Sequence, residues 1–170
     1  TGERLTRATF AKARAAGGTV IIHGRSEEQT RAAIASPLAM IASDGFIENG
    51  RGHPRTSGSY AKVLGKYVRD DKTMTLIDAL RRMTLDPARR LEKRTPAMAN
   101  KGRLKVGADA DLAIFDPATV IDRSTYEDAS IPSAGIPYVI VGGQVVVDGG
   151  NVTAARPGRA IRAPLAARSR

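Results

Sequence analysis

The chain has 170 residues, 42% of them hydrophobic, which is enough for a packed domain and too apolar for a disordered segment. A net charge of +10 raises the question of an anionic partner, yet only 4% of residues are aromatic, so the stacking surfaces that single-stranded nucleic acid needs are scarce. There is no cysteine, which excludes disulfides, thiolate nucleophiles and Cys-based zinc sites and fits a reducing compartment.

The placement of the charges argues further against nucleic acid. Arg156, Arg159, Arg162, Arg168 and Arg170 crowd the tail, and other cations alternate with carboxylates, as in Arg69-Asp70-Asp71-Lys72. No apolar run approaches the roughly 20 residues that span a bilayer. The expectation is a small-molecule partner, with neither nucleic acid nor membrane, and a cytoplasmic location.

Residues 5–16 carry Leu5, Ala8, Phe10, Ala13 and Ala16 at helical spacing, and Gly17-Gly18 ends that helix. Thr19-Val20-Ile21-Ile22 is a short β-branched run without alternation, as in a strand covered on both faces. Ser26 with Gln29 predicts a capping box opening a helix that runs to Ala35, before Pro37. Leu38-Ala39-Met40-Ile41-Ala42 is a second apolar run ending in Ser43-Asp44-Gly45, so helix and strand alternate as in an α/β layer.

Between Gly45 and Ser59 glycines and a proline predict a long polar loop containing His53 and Arg55. Helical periodicity resumes over 60–68, and Thr75 caps another helix with Leu76, Ala79, Leu80 and Met83 on one face. Asp86-Pro87-Ala88 opens a short turn. Composition then changes: the segments 102–107, 110–116 and 138–149 read as strands, the last two-part run joined by Gly142-Gly143 in a tight hairpin that needs positive φ at both glycines.

Asp44 stands at the carboxyl end of an apolar strand, the edge at which α/β folds bind ligands. A carboxylate there can ligate a divalent metal and accept a proton from water, or it can cap the following turn through an Asx hydrogen bond; the tripeptide favours neither. His53 can bind metal or polarise a carbonyl, and Arg55 can grip a carboxylate through two parallel hydrogen bonds, which suggests an anionic substrate. The plain alternative pairs Arg55 with Glu48 on an exposed loop. His23, at the other strand end, reads as a loop residue.

Several segments in order, Pro37 to Gly45, His53-Pro54-Arg55, Val63 to Arg69, Met83 to Ala88, Gly102 to Asp116 and Gly135 to Gly143, resemble the amidohydrolase superfamily. Gly-Arg-Leu-Lys-Val-Gly-Ala-Asp-Ala-Asp-Leu carries the superfamily signal, and Ser-Asp-Gly with His-Pro-Arg points to its N-acyl-D-amino-acid deacylases. The resemblance implies an α/β fold: residues 1–98 as the last strands (7 and 8) and helices of a TIM-like (β/α)8 barrel, and 99–170 as a segment of a small β-sandwich with a basic tail.

The same resemblance implies Asp44 as metal ligand and general base, Arg55 with His53 as substrate-binding residues, and zinc as cofactor, one or two ions with most ligands outside this chain. It implies hydrolysis of N-acyl-D-amino acids once the chain is joined to an upstream part, the chain alone being inactive. Thr56-Ser57-Gly58-Ser59-Tyr60 departs from the family pattern by lacking its first aromatic. A cyclic-amide hydrolase of the hydantoinase or dihydroorotase kind and a non-catalytic scaffold subunit are the alternatives.

Overall fold

Two short helices open the structure, a computed structural model that describes residues 4–17, 20–48 and 51–164. Helix α1 (Arg7–Ala15) begins at a capping box between Thr6 and Thr9, and α2 (Glu27–Ala35) at one between Ser26 and Gln29. In each, the cap hydroxyl accepts the backbone N–H of the third helical residue, whose own side chain accepts the cap N–H. Gly17 leaves α1 at φ 74, the left-handed conformation a helix terminator needs.

The two apolar runs expected as parallel strands are not strands. Residues 20–22 and 39–44 are irregular, Ile22 is 84% exposed and Leu38 94% exposed, while Thr19 lies outside the described residues. A parallel strand gains its stability from ladders on both sides and from covered faces. Among the described residues no strand lies beside either run, and two amides of the second are engaged elsewhere, Ala39 N–H by the nearby Ser36 carbonyl and Ile41 N–H by that of Arg82 on a later helix.

The long loop expected over 45–59 is also partly ordered. It holds a two-stranded hairpin, β1 (Ile47–Glu48) and β2 (Arg51–Gly52), and helix α3 starts at Arg55 rather than at Tyr60. A helix accepts Gly58 here because α3 runs close to the later chain: a Cβ at that position would lie 2.8 Å from Cβ of Asp122. The helix then widens into a π-helical stretch, Val63–Asp70, followed by α4 (Leu76–Met83), α5 (Leu85–Glu92) and a 3₁₀ turn, Pro96–Asn100.

The core gathers Ala61, Val63, Leu64, Tyr67, Ala79 and Val120, with Ile34, Ile41 and Phe115 packed against it. Val120 belongs to the segment after β3, so the C-terminal half is anchored in the helical layer. Its carbonyl accepts from Arg69 Nη1 at 2.7 Å.

The C-terminal strands form one antiparallel sheet in the order β3 (Leu112–Ile114), β4 (Tyr138–Val141), β5 (Gln144–Asp148), β6 (Asn151–Val152). Gly142 and Gly143, at φ 55 and 79, make the tight turn expected of them. The expected strand over 102–107 is irregular instead, with Leu104 86% exposed. The Gly-Ala-Asp-Ala-Asp motif acts as a clasp: Lys101 pairs with Asp109 at 2.9 Å and with Asp111, and Asp111 Oδ1 accepts the Gly142 N–H at 2.8 Å. Lys101, and after it the Gly142 amide, hold the Asp111 carboxyl below its ordinary range. No helix among the described residues is long and apolar enough to cross a membrane.

Candidate functional site

Asp44 has φ 46, a left-handed backbone that Asp tolerates better than most residues but that still stores strain. The next residue must be glycine, since a Cβ on Gly45 would lie 2.7 Å from Cα of Thr56. Thr56 in turn donates its hydroxyl to the Phe46 carbonyl at 3.1 Å, so the turn after Asp44 is locked onto the start of α3.

The side chain of Asp44 is 88% exposed, and its Oδ2 lies 3.1 Å from Nη2 of Arg55. Among the described residues it accepts no backbone N–H, which removes the turn-cap reading. Arg55 turns to Asp44 and not to Glu48. Asp44 and Arg55 are thus brought together by the hairpin between them, which folds the chain back on itself.

His53 sits beside this pair. Its Nδ1 accepts the Arg55 N–H at 3.1 Å, which leaves the proton of the neutral ring on Nε2. Burial, and then the Arg55 charge, push the His53 pKa below its ordinary 6.5. The neutral imidazole therefore offers a donor at Nε2.

One aromatic residue escaped the sequence reading. Tyr126 lies between the two histidines, with ring centroids 4.6 Å from His23 and 5.3 Å from His53. It arrives on a segment stitched to the start of α3 by hydroxyls: Ser124 donates to the Pro54 carbonyl at 2.7 Å, Ser57 to that of Ala129 at 2.7 Å, and Ser133 to that of Ser57 at 2.9 Å. The resulting open cleft of about 220 Å³ is lined by His53, Arg55, Lys62 and Tyr126 among others. Spacing could not have found Tyr126, because its proximity to His53 depends on the tertiary course of the chain.

Among the described residues no three His, Asp or Glu side chains gather as a metal site. Zinc needs about three protein ligands. The described residues therefore do not by themselves fit a zinc site.

A family model described as "Amidohydrolase family" matches residues 28–147, a span that holds Asp44, His53, Arg55 and the Lys101–Asp111 clasp. The chain belongs to the amidohydrolase family. This amidohydrolase chain is 39% identical over 142 residues to an N-acyl-D-glutamate deacylase of Alcaligenes xylosoxydans xylosoxydans, covering 84% of this chain and 28% of the relative. It is 42% identical over 107 residues to a D-aminoacylase of the same organism, covering 63% of this chain and 21% of the relative.

Solved amidohydrolase structures match as well. An N-acyl-D-glutamate deacylase from Bordetella bronchiseptica, complexed with zinc and a phosphonate mimic of the tetrahedral intermediate, aligns with TM-score 0.69 at 40% identity over 81% of this chain and 28% of its own. A D-aminoacylase structure described as defining a novel subset of amidohydrolases aligns with TM-score 0.70 at 35% identity over 76% of this chain and 26% of its own. Another D-aminoacylase study describes a binuclear metal centre. The chain spans less than a third of the length of these relatives.

Proposed function

We propose that this chain is the portion of a zinc-dependent deacylase that supplies the proton-handling carboxylate and the substrate clamp, in an enzyme that hydrolyses N-acyl-D-amino acids to a carboxylate and a free D-amino acid. The observation that carries the reading is Asp44: an exposed carboxylate on strained backbone, held by Arg55, in a chain whose relatives are deacylases. Strain of that kind concentrates at functional sites.

In this reading residues 1–98 complete a TIM-like barrel, the runs 19–22 and 38–43 becoming strands 7 and 8 when neighbouring strands pair with them. Residues 99–170 join a small β-sandwich. The exposed apolar side chains of those runs and of the sheet, among them Leu38, Ile114 and Val145, support burial against further protein.

Zinc, when bound, would polarise the scissile carbonyl and lower the pKa of water toward neutrality. Asp44 accepts the proton of the attacking water and returns it to the departing amine nitrogen, and its carboxylate would be this chain's ligand to the metal. Arg55 holds the substrate α-carboxylate with two parallel hydrogen bonds. Substrate binding therefore draws Arg55 toward the ligand and loosens its hold on Asp44. His53 Nε2–H donates to the substrate.

The test is an assay of this chain alone and of the chain joined to its upstream part against N-acetyl-D-amino acids, with bound zinc measured. The joined protein is expected to turn over substrate and carry zinc, the chain alone to do neither. Equal activity of the two would overturn the division of labour.

A further inference from the structure

Arg82, on α4, is only 6% exposed, and no Asp or Glu among the described residues forms an ion pair with it. Its Nη1 donates to the carbonyls of Ile34 at 2.8 Å and Ser36 at 2.6 Å, the end of α2. That helix has no basic residue in its own last turn, and its terminal carbonyls form the negative pole of the helix. A cation from another helix therefore caps α2.

The backbone of the same residue closes a second grip. The Arg82 carbonyl accepts the Ile41 N–H at 3.1 Å, so the chain is held on either side of Pro37 and Leu38 before it reaches Asp44. Nε of Arg82 is buried without a partner, and a buried unsatisfied donor costs about 1–3 kcal/mol. An apolar residue of similar volume would avoid that cost but would leave the Ile34 and Ser36 carbonyls without their cap, so what the arginine adds is a fixed end to α2.

We infer that Arg82 is a positioning residue for Asp44: it fixes the direction in which the chain leaves α2, and so where the carboxylate stands on its strained turn. The catalytic part of this inference rests on the role given to Asp44 above, whereas its structural part does not.

Two measurements separate these. In the 170-residue chain, amide exchange and backbone shifts are compared for wild type, Arg82→Gln and Arg82→Lys. Protection of the Ile41 amide is expected to fall by about tenfold or more, with shifts confined to residues 36–45 and the amides of Tyr67 and Val120 unmoved. Unchanged Ile41 protection, or losses spread evenly over the core, would overturn the inference. In the protein joined to its upstream part, kcat for N-acetyl-D-glutamate is expected to fall by about tenfold to a hundredfold in Arg82→Gln, with KM and bound zinc within about twofold, and Arg82→Lys to recover part of it. Unchanged kcat, or a parallel loss of kcat, zinc and folding, would contradict a positioning role. An inactive wild type with the Ile41 result as expected would remove the role of Asp44 and leave Arg82 as the clamp of this segment.

Discussion

The Arg55 guanidinium lies 3.1 Å from the Asp44 carboxylate, across the hairpin that separates them in sequence. Both side chains are largely open to solvent, at 45% and 88%, and an ion pair so exposed contributes about 0–1 kcal/mol. The pairing is therefore of little consequence for stability and of great consequence for where the two groups point.

Replacing Arg55 separates those two effects. Arg55→Lys keeps the charge but loses the planar fork, and KM for N-acyl amino acids is expected to rise by about tenfold or more with a smaller change in kcat. Thermal unfolding of the same variant should stay within a few degrees of wild type, about 1 kcal/mol at most. An unchanged KM removes the clamp role of Arg55.

The imidazole of His53 should be neutral at pH 7, with its proton on Nε2, because Nδ1 accepts from the Arg55 amide and burial opposes protonation. Its folded pKa is depressed, so the stability it contributes is present above the ordinary value of 6.5 and is lost as pH falls through the lower folded value. Nitrogen-15 spectra across pH 4–8 would show the ring titrating below about 6.5. A ring protonated at pH 7 would contradict this geometry.

Tyr67 and Glu27 tie α2 to the core and give stability a pH signature at both ends. The Tyr67 hydroxyl donates to Glu27 Oε1 at 2.9 Å, and Lys66 Nζ meets the same oxygen at 2.9 Å. Lys66 first, and then the hydroxyl, lower the Glu27 pKa, so that stabilisation is present above about 4.5 and fades as pH falls through the folded value. Burial, with Glu27 adding to it, raises that of Tyr67, so its share is complete below about pH 10 and declines above. Tyr67→Phe should cost about 0.5–1.5 kcal/mol at pH 7 and flatten the alkaline decline in melting temperature. A Phe variant with an unaltered alkaline profile would show that the hydroxyl has no such part.

Gly65 faces Val120 where the two halves of the chain meet. A Cβ there would lie 2.5 Å from the Val120 carbonyl oxygen, so Gly65→Ala is expected to destabilise by about 1–3 kcal/mol in denaturant unfolding. No loss would mean that the later segment gives way easily.

Local signals make part of this molecule legible in its sequence. Ser26 and Gln29 form the capping box their spacing predicts, and Gly142-Gly143 makes the tight hairpin, because both depend on residues a few positions apart. The apolar runs around Ile22 and Leu38 have the composition of strands but are irregular here, since a strand exists only where another lies beside it. Pro54 as the cap of α3 was hidden by the glycines and serines that follow, which look like loop until Asp122 and Ser124 are found against Gly58. Asp44 and Arg55 are legible as residue types, one closing an apolar run and the other in a polar, glycine-rich stretch. Their approach to each other, and the placing of Tyr126 against His53, belong to the folded chain alone.

The most direct test of the account is the turnover of N-acetyl-D-glutamate by the protein joined to its upstream part, measured for wild type and Asp44→Asn with bound zinc determined in each. Asn removes the proton acceptor while keeping size and shape, so kcat is expected to fall by about 10²–10⁴-fold, with folding intact. Near-normal turnover by Asp44→Asn would contradict the central claim that this carboxylate handles the proton.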